Sequence, residues 1–438
     1  MSTDKKGGEL RFLGMRDGEL ACWGQDGGRT PCPLLKTGGK KFVLAPSHSS
    51  AFVDINGDSI SDLFLVCSEE SGLYGETFLN TPDGFEYKKE KRIKLPDTAG
   101  PVTFADTRGS GSFDCIVGYN EGNEGKVAIY ENMQREIKIG YLWDTRGGKR
   151  VEVREPDSVY GYSVESRNKE IEKLNIPGQI AHENKGIPLF IRAIDVNKEG
   201  YPGLFVPVVS DSSTKYIFLS RVKAGYEIPE SMAWTGEIVD AVGVGLFDLR
   251  KSEEKCLVIS YRGEGGLKHS VREIKGGNLG LMLNVFSGTE KKGLGSYFGA
   301  TTKYAVCIEG EDVKYHAVAH GEQTASFCNS NSERYVGLGS GQSFIEKFFF
   351  SVSDRRVERY IYNGGIVPNN KIFLFVSGEK VHPLISPYHS PYYNYAIWGV
   401  MCGALCFFLI SQVFYLRELQ EDKRERQKTV YIMNYDAL

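Results

Sequence analysis

The sequence predicts an all-β ectodomain, a β-propeller of about four to five blades followed by a β-sandwich, carried on one transmembrane α-helix. Three observations lead there. Gly supplies 51 of the 438 residues, Phe and Tyr 24 each, and Pro only 16; Gly with aromatics and little Pro is the usage of many short strands joined by tight turns. An Asp-rich loop between two apolar runs recurs along the first two thirds of the chain. Residues 396–416 form an uncharged stretch of 21 residues near the C-terminus. The formal net charge of −3 leaves no basic footprint, which argues against nucleic acid as a main partner.

Residues 9–23 (ELRFLGMRDGELACW) alternate about an Asp17-Gly18 turn and predict a hairpin, the outer part of a blade that lacks its first half. Within residues 1–30 no apolar run is long enough for a signal peptide, so either the C-terminal span itself drives export or, as the favoured expectation, the biological start lies upstream of Met1.

Residues 51–67 read AFVDINGDSISDLFLVC. Asp54, Asn56, Asp58 and Asp62 stand at loop positions 1, 3, 5 and 9, with the Ile60 carbonyl at 7. Ca²⁺ takes six to eight oxygens, and alternate residues of a tight loop turn theirs toward one centre. These five residues are therefore the candidate Ca²⁺ ligands. The flanking Phe, Val and Leu residues are strand formers, so the loop joins two strands. An EF-hand is excluded because its twelfth position needs a bidentate Glu, and here it is Leu65. The competing reading is a hairpin whose Asp side chains hydrogen-bond their own backbone.

The loop recurs in weaker form. VTFADTRGSGSFDCIVG keeps Asp106 and Asp114 but sets Arg108 and Ser110 at ligand positions. IRAIDVNKEGYPGLFVPV keeps Asp195, Asn197 and Glu199 but has Gly203 at the ninth, and VGVGLFDLRKSEEKCLVIS keeps Asp248. First aspartates are 52, 89 and 53 residues apart, a unit of about fifty residues with one insertion, expected over Trp143 to Asn184. Second halves also correspond: Phe78-Leu79-Asn80 before Gly84-Phe85-Glu86, Phe218-Leu219-Ser220 before Gly225-Tyr226-Glu227, and Val127 to Asn132 between them. A unit of about four strands with turns between them reads as a propeller blade. The degenerate loops are expected to be turns held by structural hydrogen bonds.

Residues 276–390 continue the strand pattern without Asp loops (LMLNVF, TTKYAVCIEG, KYHAVAH, FIEKFFFSV, KIFLFV) and predict a β-sandwich after blades over 1–275. Gly293-Leu294-Gly295-Ser296-Tyr297-Phe298-Gly299 matches G-x-G-x-x-G. A dinucleotide fingerprint must open a helix, and the strand-like Ala300 to Val306 follows instead, so the stretch reads as a turn between strands. No nucleophile elbow or P-loop occurs, and the expectation is a non-enzyme. Cys307 and Cys328 fall on consecutive predicted strands, as a disulfide or as two buried thiols.

Residues 396–416 match the thickness of a bilayer core, with Tyr392, Tyr393, Tyr395 and Trp398 at one boundary and Tyr415 at the other. Arg417, Lys423, Arg424, Arg426 and Lys428 follow the span, so residues 417–438 are expected in the cytosol and the rest outside or in a lumen. The tail should prolong the helix through Arg417–Glu421 and Asp422–Arg426 pairs. Gly399 and Gly403 form a G-x-x-x-G step suited to lateral pairing. Tyr435-Asp436-Ala437-Leu438 reads as a trafficking signal, as an end captured by a peptide-binding domain, or as a solvated terminus.

HSSAFVDINGDSISDLFLVC, GPVTFADTRGSGSFDCIVGYN, YVGLGSGQSFIEKFFF with GGIVPNNKIFLF, and the tail EDKRERQ with YDAL together resemble the T-cell immunomodulatory protein, or Linkin, family. The Asp loops resemble FG-GAP repeats, the blades of integrin α-type propellers. The resemblance runs from about residue 45 to the end. It implies a type I membrane protein with an FG-GAP propeller ectodomain, adhesion maintenance, and RuvB-like ATPases and tubulin as cytosolic partners of the tail. The family has a signal peptide, more blades and loops fuller in Asp, from which this chain departs. The expected function is a non-enzymatic adhesion or immunomodulatory receptor, at the plasma membrane or in the secretory pathway, stabilised by Ca²⁺ and binding an extracellular or lumenal protein. The alternative is a secretory-pathway assembly or trafficking factor whose lumenal propeller binds cargo.

Overall fold

The structure is a computed structural model. It describes residues 2–3, 10–16, 19–23, 29–30, 35–45, 50–134, 143–146, 149–152, 157, 159–162, 172–210, 212–222, 225–247, 255–274, 279–289, 293–297, 299–307, 314–321, 333–339, 344–355, 357, 359–362, 365–387 and 393–435. Two compact units divide the chain, Met1–Pro387 and Tyr388–Leu438. The first is built of strands, and the second carries one long helix.

Near the N-terminus, Leu10–Arg16 and Glu19–Trp23 pair antiparallel as the alternation predicts. Four antiparallel meanders follow. In the first, Ala51–Val53, Asp62–Glu69, Gly72–Thr81 and Gly84–Tyr87 are successive neighbours. The second runs Ala99–Ala105, Asp114–Glu121, Glu124–Tyr130 and Glu172–Ile176. Arg192–Ile194, Gly203–Ser210, Ser213–Val222 and Gly225–Glu227 make the third, and Ala241–Phe247, Lys255–Gly263 and Gly266–Ile274 the fourth.

The expected insertion is narrower than Trp143 to Asn184. Glu172–Ile176 is the outer strand of the second meander, and Gln179–Ile180 pairs with the third. What intervenes includes a separate hairpin of Trp143–Arg146 and Lys149–Glu152. Most of that stretch is charged and aperiodic, which hid the short Glu172–Ile176 strand at the sheet edge.

Alternation along the strands explains how the meanders stack. A strand shows alternate residues to opposite faces. Cys115 and Val117 join Phe64 and Val66 in one buried cluster, while Ile116 faces the other way toward Leu204, Val206 and Val208. Phe205, between Leu204 and Val206, turns instead to Val244, Leu257 and Ile259. Strands buried on both faces read as unbroken apolar runs, which is why LFLVC, CIVG and LFVPVV contain so few polar residues.

After residue 278 two sheets share one core. One pairs Leu279–Thr289 with Gly293–Ser296, Glu333–Gly339 and, in parallel, Asn370–Ser377, which in turn pairs Lys380–Pro387. The other places Ala300–Cys307 between Lys314–His320 and Phe344–Val352. Leu281, Leu283, Ile372 and Leu374 of the first meet Tyr304, Val306, Phe348 and Phe350 of the second in a single apolar cluster. Gly293–Ser296 is thus a strand and not the expected turn, and the next element, Ala300–Cys307, is also a strand. Cys328 lies outside the described residues, and the Cys307–Cys328 pairing with it. Cys67, Cys115 and Cys256 are buried free thiols.

The helix runs Tyr393–Tyr435. Its apolar window falls within Tyr395–Lys428 and is wholly unburied. Phe407, Phe408 and Phe414 stand exposed along it, which makes the helix a candidate membrane span. The helix continues through the charged residues after the span, as the tail reading predicts.

Candidate functional site: three aspartate loops and the strands they hold

The Asp54 loop is folded around its own acids. Asp54 Oδ1 accepts the Gly57 amide (2.6 Å) and its Oδ2 the Ser59 amide (2.9 Å). Gly57 and Ser59 both have positive φ, 84° and 67°, a turn that the Asp54 side chain stabilises as an Asx motif. Asn56 Oδ1 accepts from Asp58 N (2.9 Å) and Asp58 Oδ1 from Ile60 N (2.8 Å). Asp62 Oδ2 accepts from Ile55 N (2.9 Å), and its Oδ1 from Asn80 N (2.8 Å). All five sequence-predicted residues, Asp54, Asn56, Asp58, Ile60 and Asp62, are buried.

Two basic side chains complete the site, Lys303 from the Ala300–Cys307 strand and Arg355 from the turn after the Phe344–Val352 strand. Lys303 Nζ is 2.5 Å from Asp54 Oδ2, with side chains 1% and 0% exposed. Arg355 donates to Asp58 Oδ2 (2.8 Å) and to the Asn80 carbonyl. Ser351 Oγ donates to the Ser59 carbonyl, and Ser61 Oγ and Thr301 Oγ1 are 3.1 Å apart. From the other side, Asn132 Nδ2 and Gln134 Nε2 donate to the Ile55 carbonyl (3.1 and 2.6 Å). Burial raises the carboxyl pKa of Asp58, the charge of Asp54 adds to it, and Arg355 opposes it. Asp62 is raised well above the ordinary range by burial, then by Asp58 and Asp54. Like charges this close demand positive charge nearby.

Those residues as arranged do not fit a Ca²⁺ ion. The oxygens that should converge on a metal accept backbone amides, and an ammonium sits against Asp54. Among the described residues, no three His, Cys, Asp or Glu are grouped to hold a metal ion. Sequence reasoning missed Lys303 and Arg355. Lys303 did leave a signal: a Lys within the run ATTKYAVC is buried only with a partner.

The next two loops repeat the plan with fewer charges. Asp106 accepts Ser110 N (2.9 Å) and Gly111 N (2.8 Å) within its loop, and Ala317 N (3.1 Å) from the Lys314–His320 strand. Arg108, at a position where a ligand was sought, pairs with Asp114 (2.9 Å). Asp195 accepts Glu199 N (3.1 Å), Gly200 N (2.7 Å) and, from the Glu333–Gly339 strand, Gly337 N (2.9 Å). Burial pushes Asp106 up to about 7, with Asp114 adding to it, and Asp195 up to about 6. Asp248 lies outside the described residues.

Between the second and third loops and these strands is a cavity of about 130 Å³, lined by Asp106, Asp195, Arg192, Tyr304, His316 and Arg334 among others. His316 stacks on Tyr304 (5.2 Å between rings), and its buried Nδ1 has no hydrogen-bond partner among the described residues. Burial, then Lys314, lowers its pKa to about 4. The lining mixes both signs of charge and holds no nucleophile–base pair.

No family model matches the chain. It is 23% identical over 384 residues to a T-cell immunomodulatory protein homolog of Plasmodium falciparum, covering 75% of this chain and 52% of that one. It is 22% identical over 450 residues to the T-cell immunomodulatory protein of Mus musculus, and 21% over 454 residues to that of Rattus norvegicus. Each rodent match covers 93% of this chain and 69% of the relative. The chain therefore spans about half the length of the Plasmodium relative. Among solved structures, a chain of a Photorhabdus luminescens Tc holotoxin pore superposes on 60% of this chain and 10% of its own, at 16% identity and a TM-score of 0.27, too low to assign a fold.

Proposed function

The chain is a homologue of the T-cell immunomodulatory proteins, and on that footing we propose that it is a single-pass, non-enzymatic receptor. Its strand-built unit is an FG-GAP propeller followed by a β-sandwich and faces the outside or a lumen, where it binds a protein partner. Its tail faces the cytosol. The observation that carries this reading is the unburied apolar helix that directly follows the strand-built unit.

Three features support the finer points. Four meanders in succession, each buried against the next through alternate residues, match the stacking of propeller blades. Arg417, Lys423, Arg424, Arg426 and Lys428 all follow the span, which favours a cytosolic tail. Beyond their chain neighbours and their own helix backbone, Gly399 and Gly403 have no heavy atom within 4 Å of where a Cβ would stand, which favours close approach of a second helix on that face.

Labelling of intact cells with a membrane-impermeant amine reagent tests the reading. Surface lysines of residues 35–387 should react without permeabilisation, and an antibody against the tail should bind only after it. Exclusive retention inside the cell would overturn the receptor reading in favour of a lumenal assembly or trafficking factor.

A further inference from the structure

We propose that Lys303 takes the place of a metal ion at the Asp54 loop, so that the loop is closed by the chain's own cation and needs no calcium. The proposal concerns how the fold is held and stands whether or not the protein is displayed at a cell surface.

The register of the sheet fixes Lys303. It lies in the middle of Ala300–Cys307, paired with Ala317 on one side and Phe349 on the other. Its ammonium is therefore delivered to Asp54 by a strand held at both edges, not by a surface side chain free to swing away. A Lys and an Asp this deeply buried are tolerated only as a hydrogen-bonded pair. A divalent ion at Asp54 would have to share the carboxylate with that ammonium at a few ångströms, and the two cations would repel.

Charge follows need from one loop to the next. In the first loop three buried acids, Asp54, Asp58 and Asp62, meet Lys303 and Arg355. In the second, two buried acids, Asp106 and Asp114, meet Arg108 from the loop itself. The third has Gly203 at its ninth position, and its one buried acid, Asp195, is met by three backbone amides. At the two loops with several buried acids, basic side chains pair with them, supplied from within the loop in the second and from a distant strand and a distant turn in the first. An Asp-loop scaffold of this kind has exchanged an external cation for internal ones.

Thermal unfolding of the full chain in detergent micelles, with excess EGTA or with millimolar Ca²⁺, tests this. The wild type should melt within about 1 °C in the two conditions. Asp54→Asn should lower the midpoint equally in both, because the lost partner is Lys303. Lys303 should also stay unmodified by an amine-reactive reagent on the native protein, with or without Ca²⁺. A fall of about 5 °C or more on chelation of the wild type, the size of effect a saturating ligand gives, would overturn the proposal. So would an Asp54→Asn defect seen only in Ca²⁺, or Lys303 becoming reactive when Ca²⁺ is added. If Asp54→Asn does not fold, the wild-type comparison and the labelling still decide.

Discussion

Lys303 and Asp54 form a buried ion pair of 2.5 Å across 249 residues of chain. The pair ties the first meander to the central strand of a sheet that begins only after residue 299. The Asp106–Ala317 and Asp195–Gly337 hydrogen bonds tie the second and third loops to the Lys314–His320 and Glu333–Gly339 strands. Each loop-initial aspartate thus has two tasks: one set of bonds shapes its own loop, and another holds a C-terminal strand. These contacts help to join Met1–Pro387 into one compact unit.

Asp195→Ala should destabilise the protein by about 2–4 kcal/mol, because it strips the acceptor from three amides at once and leaves the Gly337 N–H buried without a partner. Asp195→Asn keeps one acceptor oxygen and should cost less. Urea unfolding midpoints at constant slope would measure both.

Gly337→Ala attacks the same junction from the other strand. An added Cβ would collide with the Lys198 backbone and the Asp195 carboxylate, neither of which can swing aside. Overpacking of this kind costs about 1–3 kcal/mol. Amide exchange should quicken along both the Glu333–Gly339 strand and the Asp195 loop.

His320 supplies a pH signature. It is buried with Nε2 2.9 Å from Thr302 Oγ1, and burial, then Arg334, lowers its pKa to about 3. The unfolded chain, with an ordinary imidazole near 6.5, binds this proton more readily than the folded one. Stability from His320 is therefore full above the unfolded pKa and is lost as pH falls below it toward the folded value. His320→Gln should gain on the wild type by about 1.4 kcal/mol per pH unit between pH 6 and pH 4. Asp106 and Asp195, raised to about 7 and about 6, act with the opposite sign: their contribution is lost as pH rises through those values. The comparison must therefore be variant minus wild type at each pH, read by chemical denaturation.

Leu405→Arg combined with Leu409→Arg should release the chain from membranes. Both residues lie in the exposed apolar window, and an Arg near the centre of a span costs about 2.5–3.5 kcal/mol. Alkaline carbonate extraction should leave the wild type in the pellet and move the double variant to the supernatant.

Local features were legible in the sequence. Asp17-Gly18 between alternating runs gave the Leu10–Trp23 hairpin, Gly84 after Phe78 and Asn80 gave the strand that pairs back on them, and the uncharged run gave the helix. Each depends on residues within about a turn or a hairpin of one another. The five residues of the Asp54 loop do gather in space, but their partners were not readable. Lys303 lies on a strand whose register is set by sheets formed much later in the chain, and a lone Lys names no partner. The ties of Asp106 and Asp195 were still less visible, since Ala317 and Gly337 contribute backbone amides, which every residue but Pro possesses. The parallel pairing of Leu279–Thr289 with Asn370–Ser377 was hidden for the same reason: long-range register leaves no local mark.

A double-mutant cycle on Asp54→Asn and Lys303→Met tests most directly whether the aspartate loops hold the C-terminal strands. Each single substitution strands a buried charge or an amide-like partner and should cost about 3–5 kcal/mol. The double variant should cost clearly less than the sum of the two, giving a coupling energy of about 2–3 kcal/mol. Costs that add to within about 0.5 kcal/mol would mean that the two residues do not act on one another, and would contradict the account.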